Sequence, residues 1–428
     1  MKRKKMERIK YVCTEKKKCN FSQQIVAIFF LLFDNRIGGQ FLAKELWRID
    51  MIKKVMIMAS LSAIVGGGVY YFLVSPNIKE NTVLTTKVNP TIEPEVQGNI
   101  EEKEEQQIDY ASISQKLDQY LVGKQFNGTV LVTDKEHVIL NKGYGYADVQ
   151  NKIENTPQTK YRIGSITKTV VATSILQLQE QGKLNIQDNV NKYIPSFPEN
   201  KNITLYHLLT HTSGLPEHAK GNVNAASRLQ LINWIGRQNL EFPAGTGWRY
   251  TDYNYMVLAY IIEHISKKPL GDYIKENIFV KADMHESGMG NMVPGDKNFT
   301  KGYVKKDQEL VPAQKLGMDW LYGCVEMYTT VGDMKKLDEA IINGKLLSEQ
   351  SIQAMFSPSA ERKYAFSFYI YADYFHNHGV LSGWNTFNNF NKEKGTFVML
   401  FSNVKNSMDD DFNKEFRKMV NDLLEQRG

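Results

Sequence analysis

Strand-like segments at both ends of residues 108–428, with helical segments between them, constrain the fold more than any other feature of this sequence. Gly128–Thr133 and Val138–Lys142 are rich in β-branched residues and are separated by a polar turn, which predicts a hairpin. Further strand-like runs come near the other end, at Ala365–Tyr371, Trp384–Phe390 and Gly395–Ser402. We therefore expect an α/β (α+β) domain with an antiparallel sheet built from both ends, flanking helices and an inserted helical region.

The helical segments are recognised by apolar residues that recur every three or four positions. They cover Ile108–Val122, Arg228–Asn239, Tyr255–Ile265 and a last amphipathic segment that contains Phe412, Phe416, Val420 and Leu423. The first and last of these flank the strand-like runs, whereas the other two lie in the inserted region.

The first 107 residues have a different character. Residues 1–54 are basic, and we expect them either to lie in the cytoplasm or to be a start-site extension. Residues 55–74 are twenty uncharged residues, a length that matches one transmembrane helix. Residues 75–107 are polar and are expected to form a disordered stalk. This order predicts a single-pass membrane anchor and a domain, residues 108–428, outside the cytoplasm.

The charge distribution and the cysteines limit the kinds of partner. The net charge of the whole chain is +6, but residues 1–20 alone carry nine Lys/Arg against two Glu, so residues 21–428 sum to −1. A near-neutral domain gives no reason to expect nucleic acid as a partner. The chain has three cysteines and no Cys/His spacing typical of zinc, so we expect no metal and no organic cofactor.

Ser165 and Lys168 stand out at the start of a segment with helical spacing that ends near Gly182. Three positions apart, they share one helix face, where an amine can accept the proton of a nucleophilic hydroxyl. The alternative is that Ser165 only caps the helix and Lys168 is solvated. The Ser-x-x-Lys string also occurs at Ser402–Lys405, so this string alone does not decide between them.

Two longer strings decide in favour of the first interpretation. These are Tyr161-Arg-Ile-Gly-Ser-Ile-Thr-Lys168 and Leu208-Leu-Thr-His-Thr-Ser-Gly-Leu215, and they are followed by Tyr250-Thr-Asp252. In this order they resemble the serine β-lactamase and penicillin-binding-protein superfamily, in its class C-like branch of peptidases and esterases. The resemblance covers residues 126–404 and implies the β-lactamase-like fold.

The resemblance also implies a role for each matching residue. Ser165 would be the nucleophile that is acylated, and Lys168 would be its base. Tyr250 would relay protons. The backbone N–H of Val380, together with that of Ser165, would form the oxyanion hole.

The substrate-binding residues implied by the resemblance depart from the family pattern at two positions. Asp252 replaces an asparagine that would hold the acyl chain, and its negative charge would keep Lys168 protonated. The Lys/His-Thr/Ser/Gly-Gly motif falls on Asn377, His378 and Gly379, which puts asparagine where the family has a cation. Either a neighbouring histidine, His376 or His378, takes that part, or the cation is absent.

Other polar and aromatic residues near these strings carry less weight. His211 and Ser213 are expected to fix a turn near the site, and Cys324 to be a buried apolar residue. The remaining candidates are Glu217 and His218, expected to be solvated, and Trp320, Tyr322 and Trp384, which shape either a substrate groove or the core.

These observations predict a membrane-anchored, extracytoplasmic serine hydrolase that forms an acyl-enzyme on Ser165. The expected substrates are D-alanyl amides or esters of the cell envelope, as for a D-alanyl-D-alanine carboxypeptidase. One alternative is an esterase of the same fold that acts on D-alanyl esters or small esters, which the asparagine at 377 favours. The other is a binding or sensor module without turnover.

Overall fold

The structure, a computed structural model, describes residues 108–217, 227–291, 295–307, 309–315, 317–359 and 362–426. The predicted cytoplasmic segment, membrane anchor and stalk lie outside these residues, as does His218. Among the helices of the described ranges, none has both the length and the apolar character needed to cross a membrane.

The helices of the described chain include the five predicted in the sequence analysis, with boundaries that differ by a few residues. They are α1 Tyr110–Gly123, α2 Lys168–Glu180, α3 Leu205–Leu209, α4 Arg228–Arg237, α5 Asp252–Ser266, α6 Leu270–Ile274, α7 Val331–Ile342, α8 Glu349–Met355 and α9 Asp410–Glu425. Short 3-10 turns occupy Gly164–Thr167, Val190–Lys192, Glu199–Lys201 and Met318–Leu321, and a π turn, Lys275–Phe279, continues α6.

Within the described ranges, the strands form one large antiparallel sheet and three small ones. In chain order the strands are β1 Gly128–Asp134, β2 His137–Tyr144, β3 Tyr146–Asp148, β4 Ile153–Glu154, β5 Tyr161–Arg162, β6 Gly288–Met289, β7 Tyr303–Lys306, β8 Glu309–Pro312, β9 Met327–Thr329, β10 Tyr364–Ala365, β11 Phe368–Ile370, β12 Phe375–Leu381, β13 Trp384–Asn391 and β14 Thr396–Ser402. The large sheet runs β10-β11-β12-β13-β14-β1-β2, so strands from the two ends of the domain meet where β14 pairs with β1. This confirms the predicted sheet and the β1–β2 hairpin.

One predicted strand is interrupted. Residues 365–371 were expected to form a continuous strand, but Ser367 has φ +79°, which breaks the run into β10 and β11. A left-handed residue cannot continue an extended ladder, so the chain turns back there instead. Strand β12, which follows, then lies between β11 and β13.

The large sheet separates two hydrophobic cores. On one face, Leu117 of α1 and Phe416 of α9 pack against alternate residues of β1 and β14. On the other face lies the larger core, which includes Val170 of α2 and Leu337 of α7. Alternation along a strand assigns each side chain to one core or the other, and this decides which residues of β12 face Ser165.

Helix α2 is the centre of the larger core. Every residue from Lys168 to Leu178 is buried, including polar ones such as Thr169 and Gln177. A helix enclosed on all sides is held by its neighbours rather than by one amphipathic face. The N-terminal end of α2, next to Ser165, is therefore a fixed platform.

Candidate active site

Ser165 lies in the 3-10 turn immediately before α2, rather than in the helix itself. Gly164 has φ +52°, a conformation that glycine adopts without strain, and it reverses the chain after β5. The hydroxyl of Thr167 donates to the Gly164 carbonyl at 2.6 Å and accepts from the backbone N–H of Met327 at 3.1 Å. These bonds fix the turn that carries Ser165, whose side chain is only partly buried.

Lys168 is buried, with 1% of its surface exposed, and its ammonium makes three hydrogen bonds. Nζ donates to Ser165 Oγ at 3.0 Å, to Asp252 Oδ1 at 2.8 Å and to the Cys324 carbonyl at 3.1 Å. Burial alone would lower the pKa of Lys168, but the negative charge of Asp252 raises it above the usual lysine value. The lysine is therefore protonated at neutral pH in the ligand-free protein.

Asp252 is the first residue of α5, directly after Thr251, whose side chain caps the helix. A carboxylate in the first turn of a helix is favoured by the helix dipole. Its side chain keeps 43% of its surface exposed although Oδ1 contacts the buried Lys168. The carboxylate therefore contacts the buried lysine and is at the same time accessible to solvent.

Tyr250 lies near the N-terminal end of α2, with its ring centroid 5.0 Å from Lys168 Nζ. Burial raises the pKa of the phenol above its usual value, while Lys168 and Ser165 are near enough to its hydroxyl to pull the pKa partly back. Tyr250 is therefore a neutral phenol in the resting site, suited to donate a proton.

The ring of Tyr250 packs against His211, a contact that the sequence did not reveal. The two rings stack with centroids 4.3 Å apart and planes 27° apart. His211 is fully buried and has φ +59°. Its Nδ1 accepts from the backbone N–H of Thr251 at 3.2 Å and faces the Asn254 amide at 2.9 Å.

These bonds place the His211 proton on Nε2, because Nδ1 is occupied as an acceptor. Burial, reinforced by the charge of Lys168, holds the pKa of His211 well below its usual value, so the imidazole is neutral. Ser213 extends the network by donating to Asn254 Oδ1 at 2.7 Å. The string at 208–215 is thus the support of Tyr250, which agrees with the structural role expected for His211 and Ser213.

Strand β12 lies against the turn that carries Ser165. A Cβ added at Gly379 would lie 1.8 Å from the Ile163 carbonyl oxygen, and one added at Gly164 would lie 2.8 Å from Val380 N. Glycine at both positions lets the two backbones approach this closely. The approach brings the backbone of Val380, whose side chain is 40% exposed, beside the Ser165 turn.

Asn377 and His378 point to opposite faces of β12. Asn377 faces α2 and donates from Nδ2 to Thr169 Oγ1 at 2.9 Å, so its amide is turned into the core and is 2% exposed. His378 lies on the other face, with Nε2 2.8 Å from Asn385 Oδ1 and its ring stacked on Phe387.

The histidines on both sides of Asn377 do not replace the missing cation. His376 Nδ1 lies 2.8 Å from Asn389 Oδ1 on β13. Burial lowers the pKa of His376 to about 4 and also lowers that of His378. Both rings are neutral near pH 7, so none of residues 376–378 offers a positive charge to a substrate carboxylate.

Three of the remaining sequence candidates, Glu217, Tyr322 and Trp384, have structural contacts, whereas the side chain of Trp320 is outside the described part of the chain. Glu217 lies 3.6 Å from Arg249, Tyr322 is buried beneath the Arg228 guanidinium, and Trp384 Nε1 donates to Thr300 Oγ1 at 2.8 Å. Cys324 is buried, as expected, and burial raises the pKa of its thiol. Its backbone carbonyl, however, accepts from Lys168, a role for which a sequence carries no signal.

The sequence is similar to a known protein family and to individual named proteins. The β-lactamase family matches residues 113–420. The chain is 39% identical to the penicillin-binding protein PbpX of Bacillus subtilis (strain 168) over 313 residues, which cover 73% of this chain and 80% of that protein. It is 30% identical to a teichoic acid D-alanine hydrolase of Staphylococcus aureus (strain MRSA252) over 315 residues, or 73% of this chain and 78% of the relative.

Solved structures agree with the fold. FmtA from Staphylococcus aureus superposes with a TM-score of 0.67 at 28% identity, covering 75% of this chain and 91% of FmtA. A class C β-lactamase superposes with a TM-score of 0.65 at 21% identity, covering 75% of this chain and 98% of that one. With a matching family, similar relatives and this fold, the chain belongs to the β-lactamase family of serine hydrolases.

Proposed function

We propose that this protein hydrolyses D-alanyl esters or amides of the cell envelope through an acyl-enzyme on Ser165. The observation that carries the proposal is the convergence of Ser165, Lys168 and Tyr250 on the partly open side of one fixed turn. Two similar proteins support the choice of substrate, since one is named a teichoic acid D-alanine hydrolase and another, similar in fold, a D-amino acid amidase.

The chemistry follows from the protonation states. Once Lys168 has released a proton to solvent, its amine takes the proton of Ser165 as Oγ bonds to the substrate carbonyl carbon. The backbone N–H groups of Ser165 and Val380 stabilise the oxyanion. Tyr250 then protonates the leaving oxygen or nitrogen and is reprotonated by Lys168. A water molecule then attacks the acyl carbonyl carbon with the same proton transfers, which breaks the ester bond to Ser165 Oγ and releases the acyl group.

Among D-alanyl substrates, esters and amides without a terminal carboxylate fit the site better than D-alanyl-D-alanine peptides. A carboxylate needs a cation on β12, but the side chain at 377 is an amide turned toward Thr169. His376 and His378 are neutral and hydrogen-bonded to β13. The lack of a positive charge at residues 376–378 argues against carboxypeptidase activity. It favours the second candidate function, an esterase of the same fold that acts on D-alanyl esters or small esters.

The test uses purified protein with D-alanylated lipoteichoic acid and a fluorophosphonate probe. We expect D-alanine release and labelling by wild type and neither by Ser165→Ala. Ser402→Ala is the matched control, because Ser402 begins the other Ser-x-x-Lys string, and it is expected to label normally. Equal labelling of wild type and Ser165→Ala would contradict the nucleophile. No labelling and no turnover would instead favour a binding module.

We further propose that residues 55–74 anchor the protein in the membrane with the hydrolase domain outside the cytoplasm. The support is the length and apolar character of this segment and the lysines before it. Full-length protein is expected in the membrane fraction, with its domain accessible to protease added outside protoplasts. A chain that begins at residue 75 should be released from the membrane; retention would contradict the anchor.

A further inference from the structure

The family resemblance implies, at the position of Asp252, an asparagine whose amide would hold the carbonyl of the acyl chain. A carboxylate cannot donate a hydrogen bond to a carbonyl, since an ionised carboxylate only accepts. It can accept from an ammonium, and such charge-assisted bonds are roughly twice as strong as neutral ones. The acyl group that fits this position therefore carries a free amine.

The geometry places Asp252 within reach of such an amine. Ser165 Oγ and Asp252 Oδ1 both bond to Lys168 Nζ, at 3.0 and 2.8 Å, so they lie at most about 5.8 Å apart. In an α-aminoacyl ester, bond lengths put the nitrogen roughly 2.5 Å from the carbonyl carbon. With that carbon about 3 Å from Ser165 Oγ, the ammonium can lie up to about 5.5 Å from the serine oxygen, which brings the carboxylate within its reach.

The carboxylate also has capacity for a second cation. Lys168 is buried and contacts Oδ1, while 43% of the Asp252 side chain remains exposed. A carboxylate offers about four lone-pair sites on its two oxygens, and the lysine uses one.

We propose that Asp252 determines specificity by binding the free α-ammonium of the acyl group, so that the enzyme selects aminoacyl esters over N-acylated ones. This inference rests on the proposed function and names its substrate class. D-Alanyl esters meet the requirement, whereas N-acylated acyl groups, as in peptides and penicillins, do not.

The same contact links binding to activation of the nucleophile. In the ligand-free site Asp252 holds the proton on Lys168. A substrate ammonium on the same carboxylate offsets that negative charge and adds a nearby positive one, and both effects favour the neutral lysine. The lysine proton leaves to solvent, and the amine can then accept the proton of Ser165. A free amine should therefore raise kcat as well as lower KM.

The experiment compares D-alanine methyl ester with N-acetyl-D-alanine methyl ester, and with D-lactate methyl ester as an uncharged analogue of similar size. We expect wild type at about pH 7 to prefer the free amine by roughly 10- to 100-fold in kcat/KM, the range of one charge-assisted hydrogen bond. In Asp252→Asn this preference should fall to near one or reverse in favour of the N-acetyl ester. The measured quantity is the ratio of kcat/KM for the free-amine ester to kcat/KM for the N-acetyl ester. This ratio is used because Asp252→Asn also changes the pKa of Lys168 and so affects the rate with every substrate.

Glu241→Gln serves as the matched control. It removes a part-exposed carboxylate that pairs with Arg249 at 2.7 Å, and it should leave the selectivity ratio unchanged. Equal rates of wild type on the free-amine and N-acetyl esters, or an unchanged ratio in Asp252→Asn, would overturn the specificity role and leave the hydrolase assignment intact. Absence of turnover with all three esters and of Ser165 labelling would instead contradict the proposed function.

Discussion

At the scale of single residues, the site is defined by the protonation of Lys168. Three acceptors surround its nitrogen, and one of them is a carboxylate, so the lysine rests as an ammonium that donates to Ser165. Asparagine at 252 would leave that nitrogen without a counterion, and burial would then lower the pKa of the lysine. In the proposed mechanism, the side chain at 252 thus decides whether the lysine base is neutral before the substrate binds or only afterwards.

His211 is predicted to hold Tyr250 through both its ring and its Nδ1. His211→Phe keeps an aromatic ring for the stack but removes the acceptor of the Thr251 N–H and faces the Asn254 amide with carbon. Leaving buried donors unpaired costs about 1–3 kcal/mol, so the free energy of unfolding should fall by that amount in urea denaturation. We also expect a lower kcat, because the capped start of α5 positions Asp252.

The control for that substitution is His264→Phe. His264 lies on α5 and also stacks on a tyrosine, Tyr260, but it is exposed. Surface changes of this kind are usually within about 0.5 kcal/mol. If both variants lose the same stability, the hydrogen bonds of His211 have no special role.

At the scale of elements, the close approach of β12 to the Ser165 turn would set the geometry of the proposed oxyanion hole. Gly379→Ala would place a methyl group 1.8 Å from the Ile163 carbonyl oxygen, so β12 must move away from the turn. Because this movement carries the Val380 N–H with it, kcat should fall by about 100-fold or more, as for loss of one oxyanion donor. Steady-state kinetics on an ester substrate measure the effect.

Gly123→Ala is the matched control for this prediction. Gly123 ends α1 on the far face of the sheet, and a methyl group there meets no atom within 4 Å. Its kcat should equal that of wild type. A Gly379→Ala enzyme with normal kcat would show that the position of β12 does not limit the reaction.

A second prediction at this scale concerns buried polar groups on the face of the same sheet that packs against the larger core. Asn377 on β12 is directly opposite Asn388 on β13, and the Asp338 carboxyl of α7 faces the Asn388 amide. All three are buried, and Asn377 Oδ1, both amide atoms of Asn388 and both carboxyl oxygens of Asp338 lack hydrogen bonds of good geometry within the described chain. Burial raises the pKa of Asp338 well above its usual value.

Asp338→Asn should therefore stabilise the protein increasingly as pH rises. A carboxyl with a raised folded-state pKa favours the folded state below its unfolded pKa of about 3.9 and loses that contribution as pH rises toward the folded value. At pH 7 the variant should be more stable than wild type by about 1 kcal/mol or more, with a small difference at pH 4. Asp272→Asn, at an exposed position of α6, should change stability little at either pH. A pH-independent difference for Asp338→Asn would show that the carboxyl is ionised in the folded state.

At the scale of the whole molecule, the sequence predicted the sheet from both ends because β-branched runs and turns mark strands locally. It predicted the Ser165–Lys168 pair because three-residue spacing fixes a shared helix face. It did not reveal that Asn377 faces the larger core, beside α2, and that His378 faces the smaller core. Alternation along a strand assigns residues to two faces but does not say which face packs against which core. Nor did it reveal His211 beneath Tyr250 or the Cys324 carbonyl on Lys168, because those contacts join segments far apart in the chain.

The last prediction concerns acid stability, which depends on three neutral histidines, the buried His211 and His376 and the partly buried His378, the last two on strand β12. Burial lowers the pKa of His211, His376 and His378, and that of His376 to about 4. A histidine with a depressed folded-state pKa stabilises the fold above its unfolded pKa of about 6.5 and loses that contribution as pH falls toward the folded value. For His376 alone the loss between pH 7.5 and 4 should be roughly 3 kcal/mol.

Urea denaturation across this range should show wild type losing stability faster than His376→Phe, so that the difference between their free energies of unfolding narrows. In NMR, the His376 ring should titrate near pH 4. A difference that stays constant, or a His376 midpoint near 6.5, would contradict the buried neutral imidazole.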